Sequence, residues 1–204
     1  MAMLIENPRL EEELKEQRQA WGADQHDEVW EGVYFMPPMA NNDHQEIVSS
    51  FTFVLMASVR LPGLGKVLPG ANLAASADDW EHDYRVPDVV VFMADTAAEN
   101  HSRFWTGPAD FIIEITSPRD RTYEKIRFYS QIGVRELLIV NRQSWTLELY
   151  RHRDGSLQKV GESTLERPEV LSSGKLPLEF HLIAGETRPQ VEVRHKTTSE
   201  RWLV

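Results

Sequence analysis

Two acidic residues stand where the surrounding pattern calls for apolar ones. In RVPDVVVF (85–92), strand alternation sets Asp88, Val90 and Phe92 on one face and Pro87, Val89 and Val91 on the other. In DFIIEIT (110–116), Ile112, Glu114 and Thr116 share a face, opposite Phe111, Ile113 and Ile115. Both faces of each segment read as buried, the pattern of central strands, so Asp88 and Glu114 enter a near-core setting as carboxylates. An ionised carboxylate is costly there unless it is paired or binds a metal, and two adjacent ones repel unless a cation or proton intervenes. Two chemistries answer that demand. In one, each carboxylate makes an arginine pair or a cap, with Arg85, Arg119 and Arg121 as candidate partners. In the other, the two form an oxygen-ligand site for a hard cation, magnesium or manganese. Lys125 is the third residue of interest. It lies one helical turn before Tyr129, beside a stripe of Thr122, Ile126, Tyr129 and Ile132, so its stem can lie on that stripe while the ammonium reaches the sheet edge. The alternative for Lys125 is an exposed lysine at the border of a helix.

The elements that must position these residues are legible in outline. Residues 8–19 read as a helix, with Pro8 near the start and glutamates in the early turns. Residues 28–37 (EVWEGVYFMP) read as a short extended segment with a turn at Gly32. From Asn42 the period changes: Ile47, Phe51, Val54, Leu55 and Val59 recur at helical spacing, and Pro62-Gly63 ends that helix. An irregular strand and loop follow to Ala75, then the strand at 85–92 and, after Gly107-Pro108, the strand at 110–116. A helix over about 120–132 and an apolar strand at 136–140 come next, and the spacing of Ser117, Pro118 and Asp120 predicts a capping box for that helix. Residues 145–150 alternate, with a hairpin turn at Asp154-Gly155. Short strand-like pieces such as 177–183 lie in a Pro- and Thr-rich tail. Strands first, then a helix crossing to another strand, predict a mixed-sheet α/β domain.

Composition narrows the function classes. The chain has 204 residues, with 41% hydrophobic and 26% charged, the profile of one ordinary globular domain. It has no cysteine, which excludes a disulfide scaffold, a thiolate zinc site and a cysteine nucleophile. Against 22 basic residues stand 32 acidic ones, a formal net charge of -10 that disfavours general coating of nucleic acid. The same balance is compatible with an acidic site neutralised by a divalent cation. No apolar run approaches the roughly 18 residues that span a bilayer, and MAMLIENPRL lacks the form of a secretory signal, so a cytoplasmic protein is expected.

Other signals are weaker. Gly63-Leu64-Gly65-Lys66 lacks the spacing of a phosphate loop. The seven histidines include no HExxH and no close pair, which argues against a zinc hydrolase. Asp78, Asp79, Glu81, His82 and Asp83 read as a solvated acidic loop. Arg119, Arg121, Lys125 and Arg127 form a local basic cluster able to touch phosphates, though without interleaved aromatics in the sequence.

Taken together, Asp88, Glu114 and Lys125, in that order and followed by GVRELLIV, resemble the PD-(D/E)-x-K nuclease superfamily, and more closely its Uma-type family of restriction-endonuclease-like proteins. The likeness is strongest over 107–141 and 85–92, and weaker over 28–38 and His44-Gln45-Glu46-Ile47-Val48. It implies a restriction-endonuclease-like fold, a mixed central sheet flanked by helices. It implies a single domain with a helical extension over 1–27, a nuclease-like core over 28–185 and a tail over 186–204. Asp88 and Glu114 match the metal-binding carboxylates, with the carbonyl of Ile115 as a further ligand, and Lys125 the catalytic lysine. The superfamily's simplest form has lysine two residues after the acidic residue. Here Thr116 stands there, and Lys125 fills the place on the following helix. Asp120 is the only counterpart of a further acidic residue between Ser117 and Lys125.

The implied activity is Mg2+- or Mn2+-dependent hydrolysis of phosphodiester bonds, with DNA as partner and a homodimer as assembly. Trp202 and Leu203, read as exposed apolar residues of the tail, point the same way. Glu46 and His44 are candidates for supporting roles at the start of the second helix, or for its solvated first turn. Glu31 is a candidate on family likeness alone, or a turn residue before Gly32. The competing reading is a catalytically silent nuclease fold that serves as a dimerising or partner-binding module.

Overall fold

The computed structural model describes residues 8–22, 24–37, 40–117 and 121–204. Pro118, Arg119 and Asp120 lie outside these, and with them Arg119 as a carboxylate partner, the further acidic role of Asp120 and most of the anticipated capping box.

The strands form three sheets. The central one holds β3 (Gly65–Pro69), β6 (Val89–Met93), β9 (Phe111–Ile115), β10 (Glu136–Asn141), β11 (Thr146–Arg153) and β12 (Ser156–Ser163) in the order β12-β11-β10-β9-β6-β3. Only β9 and β10 run parallel, and α3 (Thr122–Gln131) is the crossover between them. A second sheet is built from β1 (Glu28–Trp30), β2 (Val33–Phe35), β4 (Leu73–Ala74), β5 (Tyr84–Arg85), β7 (Glu99–Asn100) and β8 (Trp105–Thr106). The third is the meander β13 (Leu171–Ser172), β14 (Leu178–Ile183), β15 (Gln190–His195) and β16 (Arg201–Leu203). Helix α1 (Pro8–Ala20) is held to the second sheet by Arg18, which grips the Asp27 carboxylate.

Alternation divides the central sheet as its sequence requires. Val89, Val91, Phe111, Ile113 and Ile115 pack on one face with Ile47, Phe51, Val54 and Leu55 of α2 (Asn42–Leu55) and with the third sheet. Val90, Phe92 and Ile112 pack on the other with Phe128 and Tyr129 of α3. Helices thus cover both faces of a mixed sheet, and each large apolar side chain so buried contributes roughly 1.5–3 kcal/mol. α2 runs on into a π-helical turn at Met56–Arg60, which carries Val59 into the same core.

Two hairpin turns follow from backbone chemistry. Glu31 and Gly32 have φ of 50° and 85°, and Asp154 and Gly155 have 48° and 80°, the paired positive values of two-residue turns that match strand twist. Two expectations need correction. The N-cap position of α3 is held by Arg121, whose side chain makes no capping bond and pairs instead with Glu124, so Ser117 is not at the cap. Within the 186–204 tail, β15 and β16 complete a sheet and bury Val191, Val193 and Val204. Trp202 packs against that core, leaving Leu203 as the exposed apolar residue of the pair.

Candidate active centre

The β6–β9 ladder sets the first two residues face to face. Val89 pairs with Ile113 in an antiparallel register, so the next residues outward, Asp88 and Glu114, stand opposite one another at the end of the ladder. Opposed residues of antiparallel strands project to the same side.

Glu114 is buried, at 3% exposure. Its Oε1 accepts a hydrogen bond from the Tyr129 hydroxyl at 2.5 Å, and Lys125 Nζ approaches its two oxygens at 3.1 and 3.3 Å. α3 supplies both donors because Lys125 and Tyr129 are one turn apart and face β9. The inward face of α3 also includes Phe128, which the stripe read from the sequence omitted.

Asp88 is less enclosed. Its Oδ2 accepts the Ile115 main-chain N–H at 2.7 Å, and its Oδ1 lies 3.0 Å from His44 Nε2. A carboxylate can only accept, so Nε2 donates to Asp88, and Nδ1 lies 3.2 Å from the Ser117 hydroxyl. Helix α2 delivers His44 in its first turn, where the capping Asn41 side chain accepts the His44 N–H at 3.0 Å. The Asn41 oxygen also receives Arg142 at 3.2 Å, and the Arg142 N–H is bound by Thr116 Oγ1 at 3.1 Å. Thr116 is therefore a buried tie between strand ends.

A third carboxylate completes the group, one that the sequence pattern does not mark. Glu28, in β1, is buried; its Oε1 lies 2.8 Å from Lys125 Nζ and accepts the Val86 N–H at 2.8 Å. Its Oε2 accepts the Trp30 indole N–H at 2.7 Å. Glu28 and Glu114 thus share one ammonium, with Asp88 close by on His44. Burial pushes the Glu114 carboxyl up to about 8; Lys125 opposes this, while the charges of Asp88 and Glu28 reinforce it. Burial alone would lower Lys125, but the Glu114 and Glu28 carboxylates outweigh it and hold the ammonium charged above its ordinary range. The Tyr129 hydroxyl is raised by burial and by Glu114, which keeps it a neutral donor.

The other candidates sort cleanly. Arg85 is buried between the rings of Trp30 and Phe128, and its guanidinium binds Val29 O and Asp83. Arg121 pairs with Glu124 and lies over Trp30 and Phe35. The two strand carboxylates take His44 and Lys125 as partners in place of these arginines. The aromatics absent from the basic cluster in sequence come from the β1–β2 hairpin. Glu46 is exposed, 3.8 Å from Arg188, and Glu31 is an exposed turn residue whose N–H binds Asp83. His44 alone of these joins the centre.

The sequence profile of the Uma2 family, described as "Putative restriction endonuclease", matches residues 12–184. The chain belongs to this family. Among solved structures it is similar to a protein from Anabaena variabilis ATCC 29413, titled a "putative nuclease belonging to DUF820". The two are 19% identical, the match covers 72% of this chain and 79% of the other, and the TM-score is 0.57. Uma2 membership and this shared fold identify a restriction-endonuclease-like architecture. No curated protein matches the chain significantly. Among the described residues no helix is long and apolar enough to cross a membrane.

Proposed function

We propose that this chain is a divalent-cation-dependent endonuclease that hydrolyses phosphodiester bonds in DNA, with Asp88, Glu114 and Lys125 as its catalytic residues. The observation that carries the reading is the crowding of carboxylates: Glu114 faces Asp88, shares one lysine with Glu28, and is pressed by both neighbouring carboxylates. Such crowding is relieved by a cation. Among the described residues no group of three or more histidine or carboxylate side chains gathers as a complete metal cage. Two carboxylates nevertheless fit a magnesium ion, which binds through one or two of them and keeps several waters. Asp88 and Glu114 would hold Mg2+ or Mn2+, which supplies Lewis-acid polarisation of the phosphoryl oxygen and a more acidic water.

The chain's own residues do the rest. His44 and the Ile115 N–H fix the orientation of Asp88. Tyr129 fixes Glu114. Lys125, held charged, offsets the negative charge that develops on the phosphoryl group in the transition state. By family likeness we also infer a homodimer.

The test is nicking of supercoiled plasmid at matched protein stability. Lys125→Met, which keeps the packed stem, should lower cleavage by about 10²-fold or more while leaving manganese affinity equal or slightly higher. Asp88→Ala should lose both cleavage and ion. Wild-type cleavage by Lys125→Met would refute the lysine's role. A wild type that cuts no DNA or RNA would favour the silent binding module.

A further inference from the structure

The best-held residue of the centre is neither strand carboxylate. Glu28 makes three bonds, and two of its donors are fixed independently of Lys125: the Val86 main-chain N–H and the Trp30 indole N–H. Its carboxylate is therefore oriented before the lysine arrives. Lys125 lies closer to it, at 2.8 Å, than to Glu114, at 3.1 and 3.3 Å. Val86 is also two residues ahead of Asp88, so one carboxylate ties the lysine to the segment that leads into the ladder end.

We propose that Glu28 is a positioning residue of this centre: a carboxylate outside the Asp88–Glu114 pair that retains the Lys125 ammonium when Glu114 is engaged elsewhere. The physical need is plain. Lys125 and a cation compete for the same Glu114 oxygens, and an ammonium with no second acceptor would be expelled from a site with so little solvent. Glu28 supplies that acceptor, so the lysine stays charged and in place. The hold itself is a matter of geometry; its catalytic consequence rests on the nuclease reading above. A purely structural ion pair would stabilise the fold without affecting turnover.

The experiment uses the full chain and reads two things. Proton-detected nitrogen spectra follow the Lys125 ammonium, identified by its loss in Lys125→Met, with and without magnesium. In Glu28→Gln, proton exchange of that ammonium with water should quicken at least about tenfold, most with magnesium present, as expected for losing a charge-assisted hydrogen bond. Plasmid nicking by the same variant should show kcat lower by about tenfold or more, with KM unchanged, the signature of an interaction lost in the transition state. If Glu28→Gln does not fold, Glu28→Asp, which withdraws the charge by one methylene, takes its place with the same directions expected. Unchanged exchange and unchanged kcat in a folded Glu28 variant would overturn the proposal. If the wild type cuts nothing, the nuclease reading fails, and the exchange measurement still decides whether Glu28 holds the lysine.

Discussion

Glu114 and Glu136 are both buried carboxylates on the one parallel strand pair of the central sheet, at 3% and 1% exposure. Glu136 pairs with Phe111 and Glu114 with Ile139, so they sit three steps apart in the ladder, about 10 Å along the strands. Their surroundings differ sharply. Glu136 receives Arg151 Nε at 2.6 Å, the Ser173 hydroxyl at 2.5 Å and the Gly174 N–H at 2.8 Å, with the Lys175 N–H at 3.3 Å. Donors surround it, among them a guanidinium, and it fastens the 173–176 loop to the sheet. Glu114 has one hydroxyl and a share of one ammonium, and two further carboxylates press on it. A satisfied buried charge serves the fold. An under-satisfied one is an opening for chemistry.

That contrast breaks most readily at the structural end. Glu136→Gln removes the charge that Arg151 and the 173–175 donors bind and should cost about 1.5–3 kcal/mol in chemical denaturation, the range for hydrogen bonds to a charged group, since Arg151 at 32% side-chain exposure stays partly hydrated. Manganese affinity of the folded fraction should not change. If Glu136→Gln instead weakened the ion site as much as Asp88→Asn, the two ends of the sheet would not be separable in this way.

A smaller effect sharpens the other end. Unfolded, Glu114 titrates near 4.5; in the native protein it titrates near 8. Between those values the native state keeps a proton that the unfolded chain has released. The stability this lends is therefore complete below 4.5 and is lost as pH rises through 8. Metal-free protein should accordingly lose thermal stability across that window, by more than about 1.4 kcal/mol, the free energy of a tenfold change in proton affinity. Glu114→Gln, neutral and of the same shape, should abolish that loss and be the more stable protein at the alkaline end. A slope identical in the variant would show that Glu114 is not the strained group.

How much of this the sequence discloses depends on how local the determining contacts are. Asp88 and Glu114 stand out because alternation within a single strand exposes each as the wrong residue type. The pairing of β6 with β9 then brings them together. Lys125 is marked by resemblance, and its stripe on α3 is visible, but Tyr129 reads only as core; its role as donor to Glu114 depends on how α3 docks. Glu28 is invisible for a stronger reason. It lies in a three-residue strand within what reads as a short extended segment with a turn, and its partners Val86 and Lys125 come from distant parts of the chain. Its burial is created where the second sheet, to which β1 belongs, meets α3, which no local period encodes. The same holds for the C-terminal sheet, whose short strands are separated by polar loops and gain their burial from the central sheet's far face.

The most direct test of a cation held between the two strand carboxylates is a manganese soak of crystals of the wild-type protein, read by anomalous scattering. One strong peak bridged by Asp88 and Glu114 is expected, with Lys125 still against Glu28. No peak between those carboxylates, with Glu114 still bound to Lys125 and Asp88 to His44 at saturating manganese, would contradict it.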